Sequence, residues 1–272
     1  MKDIKIKNAT LPALGFGTYE LEGETAHKLV TAALAAGYRH IDTAQMYHNE
    51  EAVGTAIKES AVARGQVFLT TKVLPANLAR KTFLPSVEES LKKLKTDYVD
   101  LLLIHWPNAE VPVEEYIGEL VKAQEKGYAK HIGMSNHPTA LLDKVLATGA
   151  NIITNQVEYH PFLNQDKLYG YLRAHDLTLT AYSPIAQGKV MGNATLKSIG
   201  EKYGKNEAQV TLRWLMQQDG MLAIPRSSKE RNMQSNFDIF DFELTQEEMQ
   251  QINKLTQEKT RLVHPSWAPA WD

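Results

Sequence analysis

Tyr98–His105, YVDLLLIH, is an apolar run broken by a single aspartate and ending in a histidine. A strand so apolar on both of its alternating faces suits a parallel sheet covered on both sides, and parallel strands need helical crossovers. Working outward, VFLTTK at 67–72 precedes it, joined by a helical pattern carrying Leu84, Val87, Leu91 and Leu94. Downstream, a helix bearing Ile117, Leu120, Val121 and Gln124 leads to HIGMSN at 131–136. A helix opening at Pro138 follows, then IITNQV at 152–157, a further helix and LTLTAY at 177–182. Two short helices precede the last strand, MLAIP at 221–225. Toward the start, Leu14–Thr18 and a strand ending at Asp42 flank a helix with Ala26, Leu29, Val30, Ala33 and Leu34, which Gly37 ends; Val53, Ala56 and Ile57 mark the next. Eight strand candidates alternating with helices predict an α/β fold, a (β/α)8 TIM barrel.

Two segments stand outside that repeat. IKIKNATLPALG at 4–15 alternates around Asn8 and predicts an N-terminal β-hairpin closing one barrel end. Thr245 and Glu248 form a capping box opening an extra C-terminal helix with Met249, Ile252 and Leu255. The tail RLVHPSWAPAWD at 261–272 is too rich in Pro to continue that helix, while Trp267 and Trp271 argue against plain disorder. With no linker, low-complexity tract or charge block, residues 1–272 read as one barrel domain.

Composition excludes more than it selects. A formal charge of -2 offers no bulk electrostatic reason to expect nucleic acid or an anionic membrane as partner. No cysteine is present, so disulfides and thiolate metal sites are excluded, and a reducing, cytoplasmic setting is the expectation. The nine histidines are scattered without an H-x-H or H-E-x-x-H pair, so no metal is expected. MKDIKIKNAT lacks a following apolar stretch, which predicts a soluble, unprocessed chain.

Asp42, Lys72 and His105 fall about thirty positions apart at successive strand ends, and Tyr47 closely follows the first. In such a barrel the loops after the strands open on one face, so these four residues converge. Each has an ordinary structural reading on its own: a turn-capping Asp, a packing Tyr, a strand-end Lys and a satisfied core His. Together they suit proton transfer. A phenol is a weak acid at neutral pH, a nearby ammonium lowers its pKa, and a carboxylate keeps a partly buried ammonium charged. His105 can orient a carbonyl or share the proton donation. The alternative chemistry for a lysine at a barrel strand end is a Schiff-base aldolase using Lys72.

A dinucleotide, if bound, needs a mode other than the Rossmann turn, because GFG at 15–17 is followed by Glu20 rather than Gly. IPRSSKERNMQSN at 224–236 offers one: Ser227 or Ser228 can cap a helix whose start carries Arg226, Lys229 and Arg231. Helix starts attract anions, and barrels often place phosphate sites after their last strands. The residues alone leave open a solvated basic helix start.

GYRHIDTAQMYHNEEAVG at 37–54, TTKV at 70–73 and LLLIHWP at 101–107 strongly resemble the aldo-keto reductase family, and the likeness extends over nearly the whole chain. The terminal RLV…WAPAWD segment looks nearest to the bacterial 2,5-diketo-D-gluconate reductases of the B type. The resemblance implies a catalytic tetrad of Asp42, Tyr47, Lys72 and His105 and an NADPH-dependent reduction of small aldehydes, ketoaldehydes such as methylglyoxal, or keto-sugar acids. Tyr47 would protonate the carbonyl oxygen, with Tyr47, His105 and Trp106 facing the substrate. It further implies that Ser135, Asn136 and Gln156 hold the nicotinamide amide, with Tyr182 stacked on its ring. Gly17 and Thr18 match the pyridine-side turn; Ser183, Ile185, Gln187 and Gly188 match the pyrophosphate loop. Arg226, Ser227, Ser228, Lys229 and Arg231 would meet the 2′-phosphate end and Asn236 the adenine. Two positions depart: Arg226 stands where many relatives have Lys, and Asn232 where many have Arg. A monomer is the family's expectation, and a non-enzymatic nucleotide-binding subunit is the remaining alternative.

Overall fold

The computed structural model describes residues 2–257 and 260–272. All eight expected strands form, as β3 (Phe16–Gly17), β4 (His40–Asp42), β5 (Phe68–Val73), β6 (Val99–Ile104), β7 (Ala129–Ser135), β8 (Ile152–Glu158), β9 (Thr178–Tyr182) and β10 (Met221–Ala223). Every neighbouring pair is parallel, in sequence order from β3 to β10. The sheet closes on itself just before β3. Leu14 bridges Ala223, Gly15 N–H donates to Ala223 O at 2.8 Å, and Ala223 N–H donates to Ala13 O at 2.9 Å. Gly17 is required at this seam, since a Cβ there would lie 2.8 Å from Ile224 O.

The run that set the expectation, β6, is buried along its whole length, as are β5 and β8. Helices α1 (Gly23–Ala36), α2 (Glu50–Glu59), α3 (Arg80–Leu94), α4 (Val113–Glu125), α5 (Thr139–Ala147) and α6 (Asp166–Ala174) alternate with the strands. After β9 come α7 (Ala194–Tyr203) and α8 (Glu207–Gln217), and after β10 comes α9 (Glu230–Phe237). The anticipated core residues of α1 are all buried, and Gly37 ends that helix at φ 108. In α3, Val87, Leu91 and Leu94 are buried as expected, while Phe83 is buried and Leu84 only half-buried.

The hairpin is β1 (Asp3–Ile6) paired antiparallel with β2 (Ala9–Pro12), turning through Lys7 and Asn8. Ile4, Ile6, Ala9 and Leu11 are buried, while Lys7 Nζ donates to Ile152 O at the amino end of β8. The hairpin therefore closes the bottom of the barrel, opposite the strands' carboxyl ends. The capping box forms as expected on α10 (Gln246–Asn253): Glu248 N–H donates to Thr245 Oγ1, and Thr245 N–H to Glu248 Oε2 at 2.9 Å.

Helices α2 and α3 pack so closely that Gly54 leaves no room for a side chain; a Cβ there would stand 2.5 Å from the backbone of Leu94. Backbone atoms cannot swing aside, so overpacking is relieved only by shifting a helix. Gly54→Ala is expected to destabilise the protein by about 1–3 kcal/mol, read as a lower midpoint in thermal unfolding. An unchanged midpoint would refute the close approach.

Candidate active site

At the carboxyl end of the barrel, backbone bonding sets each functional side chain. The Thr18 amide and hydroxyl both donate to Asp42 O, at 3.0 and 2.9 Å, locking the loop after β3 to the end of β4. Asn49 ties the same loops together, donating to Thr18 O and Leu21 O and accepting from Thr43 Oγ1. Tyr47 ends a short 3-10 turn, Gln45–Tyr47, which Gln45 pins by donating to Ser86 and accepting from Leu74 N–H and Asn77. His105 follows β6 and donates its backbone N–H to Val73 O.

These loops bring the four expected residues together. Lys72 Nζ donates to Asp42 Oδ1 at 2.5 Å, to Thr43 O at 2.9 Å and to the Tyr47 hydroxyl at 3.3 Å. The second Asp42 oxygen accepts from Gln156 Nε2 at 2.8 Å. The His105 ring meets the Tyr47 ring edge-on, with centroids 5.5 Å apart, and the exposed Tyr19 ring meets Tyr47 from another side at 5.2 Å. Lys72 is fully buried and all three of its N–H donors are engaged, which leaves a Schiff-base aldolase no free amine to work with.

Protonation states follow from burial. Desolvation pushes the Tyr47 phenol well above its ordinary value, and the Asp42 and Tyr19 charges push it the same way. The expected acidification by Lys72 does not prevail in the resting site, because burial penalises phenolate more than the ammonium favours it. Burial also lowers Lys72, while Asp42 acts in the opposite direction by charge and hydrogen bond. His105 is driven well below 6.5 by burial and then by the Lys72 charge, so its imidazole is neutral at neutral pH. Its Nδ1 has no hydrogen-bond partner among the described residues.

Asp42, Tyr47, His105 and Trp106 face a cavity of about 830 Å³. Gly17, Thr18, Asn136, Gln156 and Tyr182 line it too, as do Ser183, Ile185, Gln187 and Gly188 after β9 and Arg226, Ser227 and Ser228 after β10. Lys72 and Ser135 lie buried outside its lining; Ser135 Oγ donates to Gln156 O and accepts from Asn136, bracing both. Lys229 and Arg231 are exposed and Asn236 is buried on α9, and none of the three lines the cavity. The helix start also differs from expectation: Lys229 is the N-cap of α9, while Ser227 Oγ accepts the Lys229 amide and donates to Lys229 O in a turn before it.

Several lining residues escaped the sequence reading. Tyr19, Glu20 and Pro184 sit on loops, Met46 lies in the 3-10 turn beside Tyr47, and Leu262, Val263, His264 and Pro265 come from the tail. Asn232, singled out only as a departure from the family pattern, lines the cavity from the first turn of α9. An aromatic directly after the Gly17-Thr18 turn was the one available signal for Tyr19. The tail tryptophans divide: Trp267 lines the cavity and meets Trp106 edge-on at 5.1 Å, whereas Trp271 packs on Trp106 at 5.9 Å and outside the lining.

The donor set fits a nicotinamide dinucleotide. Asn136 spends its amide hydrogens on His105 O and Ser135 Oγ, and its Oδ1 accepts from the Tyr182 hydroxyl at 2.9 Å. Gln156 Oε1 and a second lone pair on Asn136 Oδ1 keep acceptor capacity for a carboxamide. Beyond them the backbone is strained, with Ser183, Ala186 and Gln187 at φ 47, 49 and 53. Left-handed non-glycine residues cost of order 1 kcal/mol or more each and cluster at ligand clamps. At the far end Arg226 donates to Tyr19 O at 2.9 Å and to Glu20, spanning the two loops and leaving Nη1 for an anion.

The pattern of the Aldo/keto reductase family matches residues 13–257. The methylglyoxal reductase DkgB of Escherichia coli O157:H7 is 42% identical over 267 residues, covering 96% of this chain and 99% of that protein. The glyoxal reductase of Bacillus subtilis (strain 168) is 41% identical, with 95% of each chain covered. A crystal structure provisionally described as 2,5-diketo-D-gluconic acid reductase B superposes with a TM-score of 0.98 at 44% identity, covering 100% of this chain and 98% of that one. The chain belongs to the aldo-keto reductase family and is an oxidoreductase.

Proposed function

We propose that this chain reduces the carbonyl group of small aldehydes and ketoaldehydes such as methylglyoxal, or of keto-sugar acids, at the expense of NADPH. One observation carries the reading: a protonated Tyr47 hydroxyl on the cavity wall is backed by the buried Lys72–Asp42 pair, with neutral His105 beside it. When bound, the reduced nicotinamide supplies a hydride from its C4. Gln156 and Asn136 orient the carboxamide, and Tyr182 presents its ring. His105 directs an imidazole N–H at the carbonyl oxygen and fixes the substrate's approach. As charge develops on that oxygen, Tyr47 transfers its proton to it. The phenolate left behind faces the Lys72 ammonium at 3.3 Å, and Asp42 keeps that ammonium charged. A phenol with a raised pKa holds its proton until a stronger base, the nascent alkoxide, takes it.

The test is direct: purified protein with NADPH and methylglyoxal, followed by loss of NADPH absorbance. Consumption dependent on the aldehyde is expected. Tight NADPH binding with no consumption across aldehydes, ketoaldehydes and keto-sugar acids would instead favour a nucleotide-binding subunit. Borohydride trapping of a substrate adduct on Lys72 would favour an aldolase.

The preference for NADPH over NADH rests on Arg226. Losing a charge-assisted contact to the 2′-phosphate costs about 1.5–3 kcal/mol, so Arg226→Ala is expected to raise the NADPH Kd about 10- to 100-fold. NADH, lacking that phosphate, is expected to change about twofold or less. Lys229→Ala, at an exposed position outside the cavity lining, is expected to have the smaller effect. Equal losses for both cofactors in Arg226→Ala would overturn the assignment.

A further inference from the structure

Glu158 is the last residue of β8 and is fully buried, yet no part of the proton path uses it. Its carboxylate faces the tail. Oε1 accepts the Leu262 amide at 2.7 Å and Oε2 accepts the Val263 amide at 2.8 Å. His160 Nε2 stands 2.9 Å from Oε1. Because His160 Nδ1 accepts from Phe162 N–H, the ring proton lies on Nε2 and is donated to Glu158. A buried carboxylate is tolerated only when its oxygens are hydrogen-bonded, and here the donors come from a segment 104 and 105 positions away. The Arg261 guanidinium feels the Glu158 charge and lies 3.8 Å from the centre of the Trp271 ring, whose Nε1 donates to His264 Nδ1 at 3.0 Å.

The two residues that Glu158 grips are themselves cavity wall, as are His264, Pro265 and Trp267 just beyond them. Two positions earlier on the same strand, Gln156 holds Asp42 at the cavity floor. Residues at i and i+2 of a strand share a face. One rigid strand therefore carries both the floor, through Gln156, and the anchor of the facing wall, through Glu158. We infer that Glu158 is a positioning residue: by binding the backbone of Leu262 and Val263 it sets the distance between the tail wall and the Tyr47 floor, and so the fit of the carbonyl substrate. This inference rests on the reductase reading of the same cavity.

Two measurements test it. Amide exchange of the segment 260–272, followed by mass spectrometry, reads the anchoring without any turnover. Kinetics with methylglyoxal and 4-nitrobenzaldehyde read the wall. In Glu158→Gln one of the two gripped amides must face an NH2 group, so exchange in the segment is expected to rise about tenfold or more. KM is expected to rise by a similar factor for both aldehydes, with kcat and the NADPH Kd within about threefold, the signature of lost substrate binding rather than lost chemistry. Should Glu158→Gln not fold, Val263→Pro removes one donor from the tail side and is expected to give the same pattern, while Val263→Ala keeps the donor and exchanges as wild type. Unchanged exchange in both Glu158→Gln and Val263→Pro, or faster exchange with unchanged KM, would overturn the inference. A wild-type protein that reduces no carbonyl would overturn the reductase reading instead, and the exchange result would still decide the anchoring.

Discussion

Tyr47→Phe is expected to lower kcat/KM for carbonyl reduction about 10²- to 10⁴-fold, the range a positioned general acid contributes. Only the phenolic oxygen is removed. The ring keeps its edge-on contacts with Tyr19 at 5.2 Å and His105 at 5.5 Å, so the cavity wall is retained. Lys72 loses one acceptor but keeps Asp42 and Thr43 O, which leaves no buried charge unpaired. NADPH affinity is therefore expected to stay within about twofold of wild type, because the loss lies in a transition-state interaction. In the wild type the same arrangement predicts a kcat/KM that is level through the neutral range. Tyr47, raised well above 10.0, loses its proton only as the pH climbs through that raised value. His105, depressed well below 6.5, gains one only as the pH falls through its lowered value. Steady-state kinetics with methylglyoxal, with NADPH fluorescence titration alongside, check both statements. Wild-type turnover in Tyr47→Phe would remove the phenol from the proton path.

The strands were readable where burial on both faces leaves an apolar stretch that needs no partner to recognise, as in β6. Strands β5 and β8, equally buried but carrying Thr70–Lys72 and Thr154–Gln156, were read from their place in the alternation of strands and helices. The closure of the barrel was not, since it depends on Gly15 and Ala223, separated by most of the chain and holding each other through backbone groups common to every residue. The same division holds in the site. Asp42, Tyr47, Lys72 and His105 stood out because their chemistry is distinctive and their spacing matches the repeat of the barrel. Glu158 carries equally distinctive chemistry but looks like any strand-end carboxylate until the tail is folded back on it. Lys229 and Arg231 look like one run of positive charge with Arg226 in the sequence, yet at the start of α9 both are exposed and outside the cavity lining to which Arg226 and Asn232 belong. The protonation of Tyr47 was also out of reach of the sequence, because the sign of its shift depends on how deeply the ring is buried.

Lys72→Met is expected to damage stability and turnover together, and a second substitution separates the two. Asp42 is 1% exposed, and its partners after the change are reduced to Gln156 Nε2 on the side chain and the Thr18 donors on its carbonyl. Removing one member of a buried ion pair typically costs about 3–5 kcal/mol, because the other charge stays desolvated without compensation. For a chain of this size each kcal/mol moves the thermal midpoint by about 2–4 °C, so a fall of roughly 6–20 °C is expected. Turnover is expected to fall about a hundredfold or more, since the phenolate formed when Tyr47 gives up its proton faces no cation. Adding Asp42→Asn removes the stranded charge while keeping a similar shape, and is expected to restore much of the lost midpoint. It cannot restore the cation, so turnover is expected to remain low. Circular-dichroism melts and kinetics on the two single variants and the double variant complete the cycle. A double variant that regained both stability and turnover would make Lys72 a structural counter-ion and nothing more; one that regained stability alone assigns the ammonium to the chemistry of Tyr47.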